Sequence, residues 1–274
     1  MNSKLVIGWL YPELMSTYGD RGNIINLQKR CEWRGIDVVV KHLNLGFGIW
    51  DLQKCDLLFM GGAQDRQQTI VAKDLRLKSK DLREMIEDGV PGLYICGAYQ
   101  FLGKYYKEAN GTIIPGLDIL DLYTENPGEN HKRLIGNIVV QVHSSELKVH
   151  SPKEKESTMN HEPKNQLTTL VGFENHGGRT YLGKGVEPLG KVLSGFGNNG
   201  TDRTEGAIYK NSFGTYLHGP ILPKNPHFAD HLIKLALEKK YLPYLPAGRQ
   251  VNLSPLDDSL EHQAHEAILK RLRS

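Results

Sequence analysis

Strand-like and helix-like segments alternate through the first hundred residues, and this alternation constrains the fold more than any other feature. Short apolar or β-branched runs predict four strands, at 4–10, 37–42, 55–60 and 92–95. Helical periodicity at 23–34 and 80–88 predicts two helices, closed by Gly35 and Gly89. Because parallel strands need crossover connections, this order predicts an α/β fold with a mostly parallel central sheet flanked by helices.

The rest of the chain is less regular. Short strand patterns return at 137–142, 169–174, 207–210 and 213–216, and the pattern at 225–240 predicts a helix. Between them the polar segment 144–166 predicts a surface insertion. Prolines at 243, 246 and 255 predict a linker, and an amphipathic C-terminal helix follows from about 257 to 273. We therefore predict a main domain over 1–240 and a linker with a helix over 241–274.

Composition excludes several classes of protein. A formal net charge of +3 on 274 residues is too small to indicate a nucleic-acid or membrane-surface binder. The three cysteines are scattered, so they favour neither a disulfide framework nor a metal site. No apolar stretch is long enough to span a bilayer. We expect a cytoplasmic protein without a metal centre and without membrane insertion.

A nucleophile elbow is indicated where the strand pattern at 92–95 ends in Cys96. Gly97 and Ala98 keep the turn free of bulky side chains, and a helix-like segment follows. At such a turn a thiol projects from the backbone and lies near the positive end of the helix dipole. Cys31 and Cys55 lie in helix-like and strand-like patterns, which favours ordinary buried residues. Cys96 is therefore the candidate nucleophile.

A cysteine nucleophile needs a base and an oxyanion site. Of the eleven histidines, His176 and His218 have the most suitable contexts, and His218 follows a strand pattern directly and precedes a Gly-Pro turn. Gly62 ends another strand pattern, so its backbone N–H could pair with that of Gly97 around an oxyanion.

The motifs together resemble a known family. Tyr94-Ile-Cys-Gly-Ala-Tyr-Gln-Phe-Leu-Gly103, Val171-Gly-Phe-Glu-Asn-His-Gly-Gly178 and Gly214-Thr-Tyr-Leu-His-Gly219 are similar to class I glutamine amidotransferases of the cobyric-acid-synthase-like (CobB/CobQ-like) branch. Three further motifs resemble the glutaminase subunits of lipid II isoglutaminyl synthases: Leu14-Met-Ser-Thr-Tyr-Gly-Asp-Arg-Gly-Asn-Ile25, Gly61-Gly-Ala-Gln-Asp-Arg-Gln67 and Arg133-Leu-Ile-Gly-Asn137. The resemblance covers roughly the first 220 residues.

The resemblance implies a role for each matching residue. Cys96 would attack the side-chain amide of L-glutamine and form a thioester, with His218 as base and then acid. Gly62 and Gly97 would bind the oxyanion. Arg133 would hold the substrate α-carboxylate, and Gln100 would line the glutamine pocket.

One departure leaves the third member of the triad open. The family usually places a glutamate two residues after the histidine, and here that position is Pro220. An acid from a partner subunit would couple glutaminase activity to complex formation. Asp65 or Glu174 could instead supply it from within the chain.

The resemblance also implies a partner. The chain has no phosphate-binding loop, although amidation of a carboxylate needs ATP. ATP and Mg²⁺ are therefore expected on a Mur-ligase-like subunit, MurT, in a heterodimer. That subunit would amidate the D-glutamate α-carboxylate of lipid II to D-isoglutamine at the inner face of the membrane. The alternatives are the glutaminase component of a cobalamin-pathway amidotransferase, commonly fused to its synthetase, and a stand-alone cysteine hydrolase.

Overall fold

A computed structural model describes residues 3–142, 168–244, 246 and 251–271. The strands are β1 (Lys4–Leu10), β2 (Asp37–Leu43), β3 (Leu57–Met60), β4 (Gly92–Ile95), β5 (Tyr105–Lys107), β6 (Ile113–Pro115), β7 (Leu122–Glu125), β8 (Leu134–Gln141), β9 (Thr169–His176), β10 (Arg179–Leu182), β11 (Gly190–Ser194), β12 (Thr204–Glu205), β13 (Ala207–Tyr209) and β14 (Ser212–Thr215). The helices are α1 (Arg21–Glu32), α2 (Ile49–Gln53), α3 (Asp65–Arg76), α4 (Ser79–Glu87), α5 (Gly97–Leu102), α6 (Pro226–Tyr241) and α7 (Ser259–Arg271). The predicted insertion at 144–166 lies outside the described residues.

The central sheet has six strands in the order β13-β14-β4-β3-β1-β2. Its neighbours pair in parallel, except that β13 runs antiparallel to β14. Every residue of β3 and β4 is buried, as expected for strands covered on both faces. The predicted α/β fold with a mostly parallel central sheet is confirmed.

Two four-stranded sheets, in the orders β10-β7-β5-β6 and β12-β11-β8-β9, accompany the central sheet. All but one of their strand pairs are antiparallel, the exception being β5 with β7. Neither sheet was predicted as a unit. Helices α2 and α3 were also missed, and α3 is polar at most of its exposed positions.

The topology brings three segments to one edge of the central sheet. Strands β14, β4 and β3 are adjacent, with Thr215 opposite Ile95 and Met60 opposite Tyr94. Since these strands are parallel, the residues that follow their carboxyl ends lie together. Those residues include Gly62, Cys96 and His218.

The predicted C-terminal helix exists as α7 and packs on the rest of the chain. His265 of α7 is fully buried, with Nε2 2.9 Å from Thr169 Oγ1 and Nδ1 2.9 Å from the Lys224 carbonyl oxygen. The preceding segment is held by α1, because Arg30 bonds Asp258 and Arg34 donates to the Ser254 carbonyl. The division between 1–240 and 241–274 stays a prediction. No helix in the described ranges is long and apolar enough to cross a membrane.

Candidate active site

Cys96 occupies a strained turn between β4 and α5. Its φ of +53° and ψ of −107° place a non-glycine residue in the left-handed half of backbone space, which is rare away from functional turns. The Cys96 N–H donates to the Thr215 carbonyl at 2.8 Å, which fixes the turn to β14. This is the elbow geometry that the sequence predicted.

Gly62 lies where the nucleophile and the candidate base meet. A Cβ at position 62 would lie 2.9 Å from His218 Cε1 and 3.2 Å from Cys96 Cβ. The 2.9 Å contact is closer than real Cβ atoms come, so a side chain here would push the His218 ring away and crowd Cys96. The glycine is therefore needed for the close approach of the three backbone segments.

His218 is held by its own backbone against β9. Its N–H donates to the Phe173 carbonyl at 2.7 Å and its carbonyl accepts the Phe173 N–H at 3.2 Å. Burial by itself lowers the pKa of His218, but hydrogen bonds and charges from Asp20 and Cys96 raise it to about 10. The imidazole of His218 is therefore protonated at neutral pH, so it can act as a proton donor beside Cys96.

Asp20, which sequence reasoning did not assign to the site, is the carboxylate nearest His218 among the ion pairs of the described residues. It is fully buried just before α1, and its Oδ1 lies 3.4 Å from His218 Nδ1. Its Oδ2 accepts the Gly62 N–H at 2.7 Å. Asp20 belongs to the Leu14–Ile25 motif that carries the family resemblance. The motif therefore marks this residue, but it does not indicate that Asp20 lies beside His218.

The hydrogen bond from Gly62 to Asp20 affects the prediction that the Gly62 and Gly97 N–H groups bind an oxyanion. The Gly62 N–H is occupied by Asp20, so it is not directed at a ligand in this structure. Gly97 begins α5 directly after Cys96, and a Cβ there would lie 2.7 Å from Gln68 Nε2. The expected pair of free donors is therefore not formed, because one donor has a carboxylate partner.

Glu174 does not supply the missing acid to His218. Its two oxygens accept the N–H groups of Phe196, at 2.7 Å, and Gly197, at 2.9 Å, and Glu174 is fully buried. The histidine beside Glu174 is His176, with 3.8 Å between Oε2 and Nε2. Asp65 begins α3, and its side chain lies outside the described residues.

A cavity of about 300 Å³ opens beside the elbow, and Cys96, Gln100 and Arg133 all line it. Gln100 is buried and donates its Nε2 hydrogen to the Tyr216 hydroxyl at 3.1 Å. Its Oε1 is buried without a hydrogen-bond partner among the described residues. Buried acceptors are normally satisfied, so this oxygen is available to a donor on a bound molecule.

Arg133 is exposed at the cavity, as a residue that binds an incoming carboxylate would be. Its guanidinium donates to Asn175 twice, to the side-chain oxygen and to the backbone carbonyl, each at 2.9 Å. These bonds fix the orientation of the planar group beside the cavity. Asn175 in turn donates to the Tyr18 hydroxyl at 2.9 Å. Sequence reasoning assigned neither Asn175 nor Tyr18.

His176, the second histidine considered for the base, has a different environment. Its ring stacks on that of Tyr216 with 3.6 Å between centroids and 6° between planes. Nδ1 lies 2.8 Å from the Gly178 carbonyl oxygen, which makes it a donor there. Burial lowers the pKa of His176, so the ring is neutral at pH 7. His176 lines the cavity, and His218 is the histidine that meets the elbow.

Comparison with known proteins agrees with this geometry. Residues 6–226 match the CobB/CobQ-like glutamine amidotransferase domain. The chain is 41% identical over 268 residues to subunit GatD of lipid II isoglutaminyl synthase (glutamine-hydrolyzing) from Staphylococcus aureus (strain N315), covering 98% of this chain and 96% of the relative. The GatD subunit from Streptococcus pneumoniae (strain ATCC BAA-255 / R6) is 39% identical over 263 residues, covering 96% and 90%.

Similarity extends to a more distant relative and to a solved structure. A probable cobyric acid synthase from Methanothermobacter thermautotrophicus is 27% identical, covering 86% of this chain and 45% of the relative. A crystal structure of a glutamine amidotransferase superposes with a TM-score of 0.53 at 15% identity, covering 84% of this chain and 98% of that one. The domain match, the identity to two full-length relatives and the elbow geometry agree, and the chain belongs to the family of CobB/CobQ-like glutamine amidotransferases.

Proposed function

We propose that this chain is the glutaminase subunit of a lipid II isoglutaminyl synthase. The observation that carries the proposal is one cavity lined by Cys96, Gln100 and Arg133, with His218 meeting Cys96 over Gly62. These residues supply a nucleophile, a base and a group for the substrate carboxylate. The names of the two GatD relatives support the specific reaction.

In the proposed mechanism, Arg133 binds the α-carboxylate of L-glutamine, and Gln100 Oε1 accepts a hydrogen bond from the substrate. The Cys96 thiolate attacks the side-chain amide carbon, and the oxyanion is bound by the Gly97 N–H. The imidazolium of His218 protonates the leaving nitrogen, which departs as ammonia. Water, deprotonated by His218, then hydrolyses the thioester and releases glutamate.

The ammonia would be used by a second protein. We propose a Mur-ligase-like subunit, MurT, that holds ATP and Mg²⁺ and activates the D-glutamate α-carboxylate of the lipid II stem peptide. Ammonia attack on that carboxylate would give D-isoglutamine in peptidoglycan. The heterodimer would work in the cytoplasm, at the inner face of the membrane. The word "subunit" in both relatives' names supports the existence of a partner.

The test is release of glutamate and ammonia from L-glutamine, with and without the co-expressed Mur-ligase-like protein. We expect activity that rises with the partner and is abolished in Cys96→Ser. Cys55→Ser is the matched control, because Cys55 is a buried cysteine two residues before β3 and does not line the cavity. Equal activity in Cys96→Ser and wild type would contradict the proposal.

A second assay separates the two acceptors. The cobyric acid synthase relatives suggest a corrinoid carboxylate as the alternative acceptor. Amidation of lipid II by the complex, followed by mass spectrometry, would support the peptidoglycan reaction. Glutaminase activity without lipid II amidation, and with amidation of a corrinoid acid, would favour the alternative.

A further inference from the structure

Asp20 is an unusual carboxylate because it is fully buried and interacts with two parts of the active site at once. Its Oδ2 accepts the Gly62 N–H at 2.7 Å, and its Oδ1 lies 3.4 Å from His218 Nδ1. Burial of a carboxylate is costly unless its oxygens find donors. Here the donors are the Gly62 N–H and the His218 imidazole. The Asp20 carboxylate therefore fixes the position of both groups.

The chain before Asp20 holds the other side of the same glycine. The Thr17 N–H donates to the Gly62 carbonyl at 3.1 Å, while Asp20 accepts the Gly62 N–H. A Cβ on Gly61 would overlap the Met15 carbonyl and come within 2.8 Å of Asp20 Oδ2. The segment 15–20 therefore clamps the Gly61-Gly62 loop from both of its hydrogen-bonding directions.

Tyr18 links this clamp to the substrate cavity. It has a positive φ of +53°, and its ring meets the His218 ring edge-on at 5.0 Å between centroids. Its hydroxyl accepts a hydrogen bond from Asn175, which also holds the Arg133 guanidinium. A non-glycine residue in this conformation costs about 1 kcal/mol or more, so it persists where surrounding contacts fix it. The turn is held by the same contacts that arrange the site.

We propose that Asp20 is the positioning residue of this active site and serves both of its halves: it keeps the His218 imidazole in the form with hydrogen on Nδ1, and it holds the Gly62 peptide beside Cys96. The proposal rests on the proposed glutaminase function, and it assigns the third member of the triad to this chain. Asp20 is not itself a catalytic residue, because it acts through His218 and Gly62.

Two substitutions distinguish the role of Asp20 towards His218 from its role towards Gly62. Asp20→Asn keeps an oxygen that can accept the Gly62 N–H but loses the charge that stabilises the imidazolium. Asp20→Ala loses both. Asp74→Asn is the matched control, because Asp74 bonds Tyr11 and Lys78 and does not line the cavity.

The first readout is the titration midpoint of the His218 imidazole in ¹⁵N-histidine NMR as a function of pH, which needs neither glutamine nor a partner. Loss of the Asp20 charge destabilises the imidazolium, so the midpoint in Asp20→Asn should move down by about one pH unit or more. Asp74→Asn should leave the midpoint unchanged. An unchanged midpoint in folded Asp20→Asn overturns the His218 half of the proposal.

The second readout is glutaminase kinetics in the complex. We expect Asp20→Asn to lower kcat by about 100-fold or more, with KM within about threefold of wild type, because the substrate carboxylate is held elsewhere. Asp20→Ala should lower kcat at least about fivefold further, because the Gly62 loop is also released. Equal kcat values for folded Asn and Ala variants overturn the Gly62 half.

A measurement on the wild type covers the case in which the variants do not fold. In ¹⁵N-histidine NMR, with His218 assigned by the signal lost in His218→Gln, Nδ1 should carry a proton from pH 6 to 9. A neutral ring with hydrogen on Nε2 over this range would overturn the proposal. If the wild type does not hydrolyse glutamine yet the His218 midpoint shifts as expected in Asp20→Asn, the proposed function fails and the positioning by Asp20 stands.

Discussion

Arg133 shows how a single exposed side chain becomes a recognition element. Its guanidinium is oriented by two hydrogen bonds to Asn175, so its position at the cavity does not depend on a bound substrate. Fixing a long side chain in advance lowers the ordering cost of binding. The same interaction connects Arg133 to Tyr18, whose ring contacts His218.

Arg133→Lys should therefore impair binding more than chemistry. Lysine keeps the charge but lacks the planar fork that binds a carboxylate with two hydrogen bonds. We expect KM for L-glutamine to rise about 10-fold or more, with kcat changed by less than about threefold. Arg203→Lys is the control, since Arg203 donates to the Val192 carbonyl and does not line the cavity. A loss confined to kcat would contradict the role given to Arg133.

At the scale of elements, the contact between α5 and β14 determines where the elbow lies. Gly214 of β14 faces the ring of Tyr99 in α5, and a Cβ at 214 would overlap that ring. Tyr99 is fully buried and its hydroxyl donates to Asn198, so the ring has no room to move away. The short helix after Cys96 is thus seated directly on the strand that precedes His218.

Gly214→Ala should damage stability and activity together. Overpacking of a buried contact costs about 1–3 kcal/mol of unfolding free energy, and relief of the overlap would shift α5 and the Cys96 turn. Gly48→Ala is the control, because a Cβ there would meet an Asp51 side-chain oxygen at an ordinary 3.8 Å. Denaturant unfolding and glutaminase assays measure both effects. Wild-type values for Gly214→Ala would contradict this account of the elbow.

The docking of α7 should depend on pH through His227 of α6. Burial, followed by the nearby charges of His265 and His262, lowers the pKa of His227 to about 3. The unfolded chain takes up this proton near pH 6.5, so stability is unaffected above that pH and falls between about 6.5 and 3. In His227→Phe the free energy of unfolding should fall less between pH 7.5 and 5 than in wild type. Equal losses in the two proteins would show that His227 does not contribute.

Some features of the fold and of the candidate site could be predicted from the sequence, and others could not. The central sheet and the elbow follow from local patterns, since apolar runs alternate with helices and one run ends at Cys96. His218 follows from its place after a strand pattern. Asp20 could not be found in this way, because it lies 198 positions from His218 and only the packed sheet brings them together. The other oxygen of Asp20 accepts the Gly62 N–H, and no local sequence pattern indicates this hydrogen bond either.

At the scale of the whole molecule, a buried charge cluster joins the two ends of the chain. Arg30 is fully buried in α1 and donates to Asp230 of α6 at 2.6 and 2.8 Å and to Asp258 at 2.6 Å. Arg34 bonds Asp230 as well, at 2.6 and 2.9 Å. The cluster therefore attaches the segment before α7 to the central part of the molecule.

Asp230→Asn should be strongly destabilising. It leaves two arginines with one remaining carboxylate, and breaking a buried pair costs about 3–5 kcal/mol of unfolding free energy. Because the cluster is buried, the loss should persist at 1 M salt. Glu238→Gln is the control, since its pair with Lys234 spans 3.7 Å and is partly exposed. A loss below about 1 kcal/mol in urea unfolding would show that the cluster contributes little to stability.

The backbone pairing of His218 with Phe173 has a consequence for biogenesis. Cys96 follows β4, whereas His218 follows β14, far later in the chain, and pairs its backbone with Phe173 of β9. During synthesis on the ribosome, the cysteine leaves the exit tunnel long before the histidine. Until β9 and β14 have been made and have packed, Cys96 has no His218 beside it, so under the proposed function we expect an unfinished chain not to hydrolyse glutamine. Under that function, hydrolysis of glutamine would begin only after the chain has been made to beyond residue 218.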